Sequence, residues 1–196
     1  MVNQTHIDCP GLFLLAGPTG SGKSTLLEFV KDNYASSIHV GTKFTDRPRR
    51  VTDRDWEFNF VERIPSHLQE YAYTAVGRHY AIDISELRST IKSNLSYLVT
   101  CTDPDTIRLL RKAFPAVVVF IYRPLGVREF KQLMARRQVT TDEDLRARQA
   151  EVESALTDYA RNIGLYTYVV LNTGTLQDLE SQATALLEDC GITPGS

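Results

Sequence analysis

The chain has 196 residues, three cysteines and a formal net charge of −2, from 22 basic and 24 acidic residues. This length suits one domain that buries about 70% of the surface its unfolded chain would expose. Cys9, Cys101 and Cys190 show no paired spacing, which argues against a disulfide framework, and the near-neutral charge argues against a nucleic-acid or membrane-surface binder.

The first ten residues, MVNQTHIDCP, lack the basic start and apolar centre of an export signal. No later apolar run reaches the roughly 18 residues that span a bilayer. Together with the unpaired cysteines, this indicates a cytoplasmic protein. Any anion-binding site must then be local, and the oligomeric state stays open.

The first regular elements are a strand and a helix. Gly11–Ala16 is a short apolar run closed by glycine, which predicts a buried strand. Ser24–Tyr34 then carries Leu26, Leu27 and Val30 at helical spacing. A polar, glycine-rich loop therefore joins a buried strand to a helix.

Three more apolar runs, at residues 97–101, 116–122 and 168–171, are separated by helix-like stretches. This alternation is typical of parallel strands joined by right-handed crossovers, and it predicts a three-layer α/β fold with a parallel core sheet. We assign the core of this single domain, residues 1–196, to 11–42, 83–130 and 149–190.

Two segments interrupt the alternation. Residues 43–82 are rich in arginine, aromatic residues and β-formers, which predicts short antiparallel strands. Residues 131–148 join two helices as a helical lid, in which Thr140 or Thr141 can cap the second helix ahead of Asp142, Glu143 and Asp144.

The loop after the first strand fits G-x-x-x-x-G-K-[ST] without a gap. Its glycines let backbone N–H groups form an anion nest at the start of a helix, Lys23 reaches the β- and γ-phosphates of ATP, and the Ser24 hydroxyl ligates Mg²⁺. The alternative is a glycine-rich turn that binds nothing. The residues that we expect to bind ATP are Gly17, Pro18, Thr19, Gly20, Ser21, Gly22, Lys23, Ser24 and Thr25.

From residue 11 to 190 the chain resembles the guanylate kinase family. GPTGSGKST resembles the family's phosphate loop, and TDRPRR its acceptor-phosphate motif TTRxPR. GRHYAI resembles its GNYYGS segment, and RQVTTDEDLRAR resembles its lid. The resemblance implies a P-loop kinase fold in which residues 43–82 bind the acceptor.

The resemblance also implies acceptor-binding residues. Arg47 and Arg50 keep the spacing of the family's phosphate clamp, although the early proline leaves Arg49 as a competitor for Arg50. Asp53 stands where the family has Glu, and Tyr80 matches a phosphate-contacting tyrosine. Two guanidinium groups on one loop can bind a phosphate at two points, and a phenol adds one donor. Trp56 is a further candidate for a phosphate-contacting tyrosine position.

In the lid and beyond, Arg137 and Arg148 match arginines that neutralise the transferring phosphoryl group, which makes them catalytic candidates with Lys23. Asn172 matches an asparagine near the ATP base. One lid arginine of the family is replaced by Leu133, and Arg136 is a possible substitute.

The guanine-reading residues of the family have no match. Their positions hold Tyr71, Ile82 and Thr102, of which Thr102 is retained as an acceptor-binding candidate. An aromatic and aliphatic pocket cannot distinguish bases by hydrogen bonding, so strong selectivity for GMP is not expected. Nearby, Asp103 is a candidate either for a metal or sugar contact or for a helix cap.

These features predict an ATP- and Mg²⁺-dependent kinase. It would transfer the γ-phosphoryl group to the phosphate of a small acceptor, a nucleoside monophosphate or a ribose phosphate. The alternative is a non-catalytic guanylate-kinase-like module that binds a phosphoprotein through Arg47, Arg50 and Tyr80. Retention of Gly17, Gly22, Lys23 and Ser24 favours the enzyme.

Overall fold

The computed structural model describes residues 11–75, 77–137, 139 and 141–194. One sheet contains five strands, all paired in parallel. In chain order they are β1 (Leu12–Ala16), β2 (Ile38–Val40), β7 (Ser96–Thr100), β8 (Ala116–Tyr122) and β9 (Tyr168–Leu171). Their order across the sheet is β2-β7-β1-β8-β9, so β1 lies at the centre. The apolar runs of the sequence predict all of them except β2, which is three residues long.

Helices cover both faces of this sheet, as predicted. They are α1 (Lys23–Asn33), α2 (Ile84–Lys92), α3 (Pro104–Ala113), α4 (Val127–Arg136), α5 (Asp142–Arg161) and α6 (Leu176–Asp189), with 3₁₀ turns at Ser66–Tyr71 and Ile163–Leu165. Successive β1 side chains point to opposite faces. Phe13 and Leu15 pack in the core cluster of α1 and α6, whereas Leu12 and Leu14 pack in that of α2 and α3. The three-layer α/β fold is therefore confirmed.

The second sheet is built from residues 43–82. Its strands are β3 (Lys43–Thr45), β4 (Phe58–Phe60), β5 (Ala72–Ala75) and β6 (Arg78–Ile82), in the order β4-β3-β6-β5. The β3–β6 and β5–β6 pairings are antiparallel, as expected. The β3–β4 pairing is parallel, so the expectation of a wholly antiparallel insertion was wrong there. The loop of residues 46–57 is long enough to carry the chain back before it re-enters the sheet.

The lid segment joins α4 to α5. Thr141 caps α5, since its hydroxyl accepts a hydrogen bond of 3.1 Å from the Asp144 N–H, which confirms one of the two predicted caps. Thr140 lies outside the described residues. No side chain of α5 is fully buried. The helix is instead anchored near its far end, where the Tyr159 ring stacks on Phe120 with centroids 4.2 Å apart.

None of the helices in the described part of the chain is both long and apolar enough to cross a membrane. Cys101 and Cys190 are buried in the core, where a thiol packs as a small apolar side chain. Cys9 lies outside the described residues.

Candidate active site

A cavity of about 770 Å³ lies where the carboxyl ends of the parallel strands meet the second sheet and the lid. Nine basic and three acidic side chains line it, although the whole chain has a formal charge of −2. The basic residues are Lys23, Lys43, Arg47, Arg50, Arg54, Arg123, Arg136, Arg137 and Arg148, and the acidic residues are Asp53, Glu57 and Glu151. The cavity is therefore a local site for a strongly anionic ligand.

The phosphate loop forms the floor of one half of the cavity. Gly17, Gly20 and Gly22 have φ angles of 131°, 80° and 108°, a region that other residues rarely adopt. A Cβ atom at Gly17 would lie 2.1 Å from the carbonyl oxygen of Ile121. Such a loop at the start of α1 directs backbone N–H groups towards an anion. The geometry thus fits the polyphosphate of a nucleotide.

Lys23 and Ser24 follow the nest at the start of α1. The Lys23 Nζ donates hydrogen bonds of 2.7 Å and 2.8 Å to the carbonyl oxygens of Gly17 and Pro18. An ammonium group has three N–H donors, so one remains for a ligand. Burial lowers the pKa of Lys23 to about 8. The Ser24 hydroxyl donates a hydrogen bond of 3.1 Å to Glu57 Oε1.

Not every residue of the motif faces the cavity. Thr19, Gly20, Gly22, Lys23, Ser24 and Thr25 line it. Ser21 is 1% exposed and supports the loop from behind. Asn172, which follows β9, donates a hydrogen bond of 2.9 Å from Nδ2 to the Ser21 carbonyl. Asn172 also lines the cavity, and its amide nitrogen braces the phosphate loop.

In the second half of the cavity, Arg47 is held by a two-point ion pair with Asp53. Its NH1 and NH2 groups donate to the Asp53 carboxylate at 2.7 Å each, and NH1 also donates to the Pro48 carbonyl at 3.0 Å. Three of the five guanidinium N–H groups are therefore occupied, and two remain on the Nε edge. The guanidinium lies over the Phe58 ring, 4.5 Å from its centroid.

Asp53 lies in the cavity and is paired with the arginine loop. Predicted as an acceptor-binding residue, it lines the cavity, where its carboxylate accepts hydrogen bonds from Arg47 and from the Arg50 backbone N–H, the latter at 2.6 Å. Burial alone would raise the pKa of Asp53, and these hydrogen bonds outweigh it, so the pKa lies below its usual range. Asp53 thus orients the arginine loop.

The choice between Arg49 and Arg50 is decided by the loop geometry. Arg50 lines the cavity, where burial, Arg47 and Arg148 lower the pKa of its guanidinium. Arg49 is exposed and forms an ion pair with Asp55 at the surface. Arg50, and not Arg49, therefore faces the cavity together with Arg47.

Tyr80 and Thr102 line the same half. The Tyr80 ring stacks on Tyr73, with centroids 5.5 Å apart.

Trp56, by contrast, packs against the core cluster that contains α1. Phe58, two residues later, lines the cavity instead. Trp56 does not line the cavity, so its candidate role at a phosphate-contacting position is not supported.

The positions expected to surround a base do not form a pocket. Tyr71 is 6% exposed and Ile82 is 0% exposed, and both pack in the core cluster with β7 and α3. Thr102 alone of the three lines the cavity. Asp103 caps α3, since its carboxylate accepts hydrogen bonds of 2.8 Å from the Thr106 N–H and hydroxyl. Its proposed metal or sugar contact is therefore not supported.

The lid contributes arginines from α4 and α5. Arg137 NH1 donates a hydrogen bond of 2.9 Å to the Thr19 hydroxyl, which links the lid to the phosphate loop. Arg148 donates to Glu151 at 2.8 Å. Leu133 lies against Gly20, while Arg136 lines the cavity and can supply the missing charge.

Among the cavity residues that were not predicted from the sequence are Lys43, Glu57, Phe58 and Arg123. Lys43 could have been found from its spacing in the sequence. It precedes Thr45 and Arg47 at strand spacing, and these three residues are 6%, 0% and 5% exposed. Burial lowers the pKa of Lys43 to about 8, against the opposing effect of Glu57. Its Nζ lies 5.0 Å from the Phe58 centroid and 5.3 Å from that of Tyr80.

Known proteins resemble this chain at low identity. A guanylate kinase of Mycoplasma genitalium is 24% identical over 180 residues, which cover 87% of this chain and 73% of the relative. A guanylate kinase of Pseudomonas syringae pv. tomato is 27% identical over 195 residues, covering 91% and 88%. No protein-family model matches the chain.

A solved structure agrees with the fold. The crystal structure of guanylate kinase from Anaplasma phagocytophilum matches with a TM-score of 0.57 and 16% identity, over 92% of this chain and 86% of that chain. At 16% identity this match supports the fold alone, and the resemblance to guanylate kinases rests on the sequence relatives. In sequence and in fold, the chain is therefore guanylate kinase-like.

Proposed function

We propose that the chain transfers the γ-phosphoryl group of Mg²⁺-ATP to the phosphate of a small acceptor, a nucleoside monophosphate or a ribose phosphate. The observation that carries this proposal is one cavity with nine basic side chains, in which a phosphate loop faces a separate arginine loop. Two phosphate groups must meet in such a reaction, and each loop suits one of them. The relatives named guanylate kinase support a nucleotide phosphate as acceptor.

The nucleotide would occupy the phosphate-loop half. The nest at Gly20 and Gly22 and the remaining N–H of Lys23 suit the β- and γ-phosphates. Ser24 would hold the magnesium ion with its hydroxyl. When bound, Mg²⁺ neutralises charge on the β- and γ-phosphates. The residues present therefore fit Mg²⁺-ATP.

The acceptor phosphate would lie against the arginine loop. The free Nε edge of Arg47 and the guanidinium of Arg50 provide two forked donors, and the Lys43 ammonium adds a third cation. The Tyr80 hydroxyl is available as a further donor. This half would orient the acceptor oxygen towards the γ-phosphorus.

The lid would supply the charge that the transition state needs. Arg137 already touches the phosphate loop through Thr19, and Arg148 lines the cavity beside Glu151. Phosphoryl transfer passes through a loose transition state in which charge spreads over the phosphoryl oxygens. Arginines placed there stabilise it without acting as acid or base.

The acceptor base would be read weakly. Tyr71 and Ile82 pack in the core cluster and do not line the cavity, so two guanine-reading positions of the resembled family do not face an acceptor here. Thr102, Tyr73 and Tyr80 are the side chains that an acceptor ring would meet. We infer low selectivity among bases, or an acceptor without a base.

The test is ADP release from Mg²⁺-ATP with a panel of acceptors that begins with GMP and includes AMP, CMP, UMP and ribose phosphates. The chain should turn over at least one of them, and Lys23→Ala should abolish the release. Calorimetry of ATP binding accompanies the panel. Binding of ATP without turnover of any acceptor would overturn the proposal and favour a phosphoprotein-binding module instead.

A further inference from the structure

Three carboxylates line the cavity, and two of them are bound to arginines. Asp53 pairs with Arg47 at 2.7 Å, and Glu151 pairs with Arg148 at 2.8 Å. Among the described residues, Glu57 has no ion pair within 4 Å, although it is 6% exposed. Its carboxylate is bound by the Ser24 hydroxyl at 3.1 Å. A buried carboxylate in a basic cavity is thus directed at the phosphate loop.

The backbone holds Glu57 firmly in this position at the start of β4. Its N–H donates to the Arg54 carbonyl at 3.1 Å, and its own carbonyl accepts from the Lys43 N–H at 3.1 Å. Arg54 in turn donates from NH1 to the Ser24 carbonyl at 3.2 Å, which ties this loop to α1. The approach of Glu57 to Ser24 is therefore fixed by backbone contacts on both sides.

The Ser24–Glu57 distance suits a shared metal ion. Mg²⁺ takes six oxygen ligands at about 2.0–2.1 Å, which places neighbouring ligand oxygens about 2.9 Å apart. The two side-chain oxygens are 3.1 Å apart. Mg²⁺ in phosphate-transfer sites is held by one or two carboxylates together with waters and substrate phosphates. Ser24 and Glu57 match that donor set without a larger acidic cluster.

The ends of the core strands offer no competing carboxylate in the described part of the chain. After β7 the cavity is lined by Thr102, while Asp103 is turned away to cap α3. After β8 it is lined by Arg123. The cavity carboxylate that contacts the Ser24 hydroxyl therefore comes from the residue just before β4.

We propose that Glu57 is the protein carboxylate of the magnesium site, where it ligates the ion beside Ser24, directly or through a coordinated water. The inference rests on the proposed function, because it assumes that Mg²⁺ enters with the nucleotide. The site joins the two halves of the cavity, since Ser24 belongs to α1 and Glu57 immediately precedes β4, the strand that pairs with β3.

Calorimetry of ADP binding with and without Mg²⁺ tests this. In the unchanged chain, Mg²⁺ should tighten ADP binding. Glu57→Gln should reduce that tightening by about 10-fold or more, as loss of metal-orienting groups does. It should leave metal-free ADP binding equal or tighter, because a negative charge near the phosphates is removed. Glu62→Gln is the matched control, an exposed carboxyl two residues beyond β4 that does not line the cavity.

The outcomes separate the two proposals. Full Mg²⁺-dependent tightening in Glu57→Gln would overturn the role of Glu57 and leave the kinase proposal standing. Absence of ADP and ATP binding in the unchanged chain would overturn the kinase proposal itself. If Glu57→Gln does not fold, Glu57→Asp is used in the same ADP titration. Its side chain keeps the negative charge but is one methylene shorter, so the carboxylate lies further from Ser24. It should lose the Mg²⁺-dependent tightening and keep metal-free affinity.

Discussion

The two halves of the cavity bind phosphate by different means. In the phosphate-loop half, the binding groups are backbone N–H groups whose direction is set by glycines with positive φ. In the arginine-loop half, they are side chains of Lys43, Arg47 and Arg50, held by Asp53 and by aromatic rings. A backbone site tolerates little change within its motif. A side-chain site can change its ligand by exchanging a few residues while the fold persists.

The largest expected effect is in the phosphate-loop half. Lys23→Ala removes the ammonium group that lies against the nest, and it should lower kcat by at least about 100-fold, the scale seen when one preorganised donor is lost. Lys31→Ala is the control on the same helix, since Lys31 is exposed and lies over Trp56. Single-turnover rates with saturating Mg²⁺-ATP measure the effect. Equal losses in both variants would point to a general effect on α1.

In the arginine-loop half, Arg50→Ala should act on the acceptor alone. A charge-assisted hydrogen bond contributes about 1.5–3 kcal/mol, so the acceptor KM should rise about 10- to 100-fold while the KM for ATP stays nearly constant. Arg49→Ala, one residue away but paired with Asp55 at the surface, should leave both values unchanged. A larger effect from Arg49 would reverse our assignment of the clamp.

Asp53→Asn tests how the arginine loop is held. It should lower the free energy of unfolding by about 1–3 kcal/mol at pH 7, because a buried charged pair loses one partner. The folded-state pKa of Asp53 is depressed, so its stabilisation is complete above the unfolded pKa of about 3.9 and is lost as the pH falls through the folded value.

Urea titrations of the unchanged chain and of Asp53→Asn at neutral and acidic pH measure this difference. The gap between the two curves should close below about pH 4. Asp55→Asn is the matched control, since its side chain is 86% exposed in the same loop. A gap that persists at low pH would mean that Asp53 does not act through its charge.

The smallest expected effect is at Tyr80. Removing its hydroxyl in Tyr80→Phe should raise the acceptor KM about 2- to 10-fold, the equivalent of one neutral hydrogen bond. Tyr71→Phe removes a hydroxyl from a side chain packed in the core cluster and should leave the acceptor KM unchanged. Acceptor titrations at saturating ATP distinguish the two. A response at Tyr71 alone would place the acceptor outside the cavity described here.

The phosphate-loop half could be predicted from sequence because its geometry is local. Glycine spacing, the apolar run before it and the helical run after it lie within residues 11–34. The arginine loop was predicted in part, since Arg47 and Arg50 keep a recognisable spacing. Glu57 was missed because its position beside Lys43 depends on the parallel β3–β4 pairing, which no short-range pattern encodes.

Because α5 is anchored near its C-terminal end, a small tilt of the helix would displace its N-terminal half the most. The contact is the Tyr159 ring, which stacks on Phe120, and Arg148 lies three helical turns closer to the N-terminus of α5. At a rise of about 1.5 Å per residue the arm is about 16 Å long, so a tilt of about 10° moves Arg148 by about 3 Å. A tilt of α5 about the Tyr159–Phe120 contact would therefore move the Arg148 guanidinium by about the length of one hydrogen bond to a phosphate.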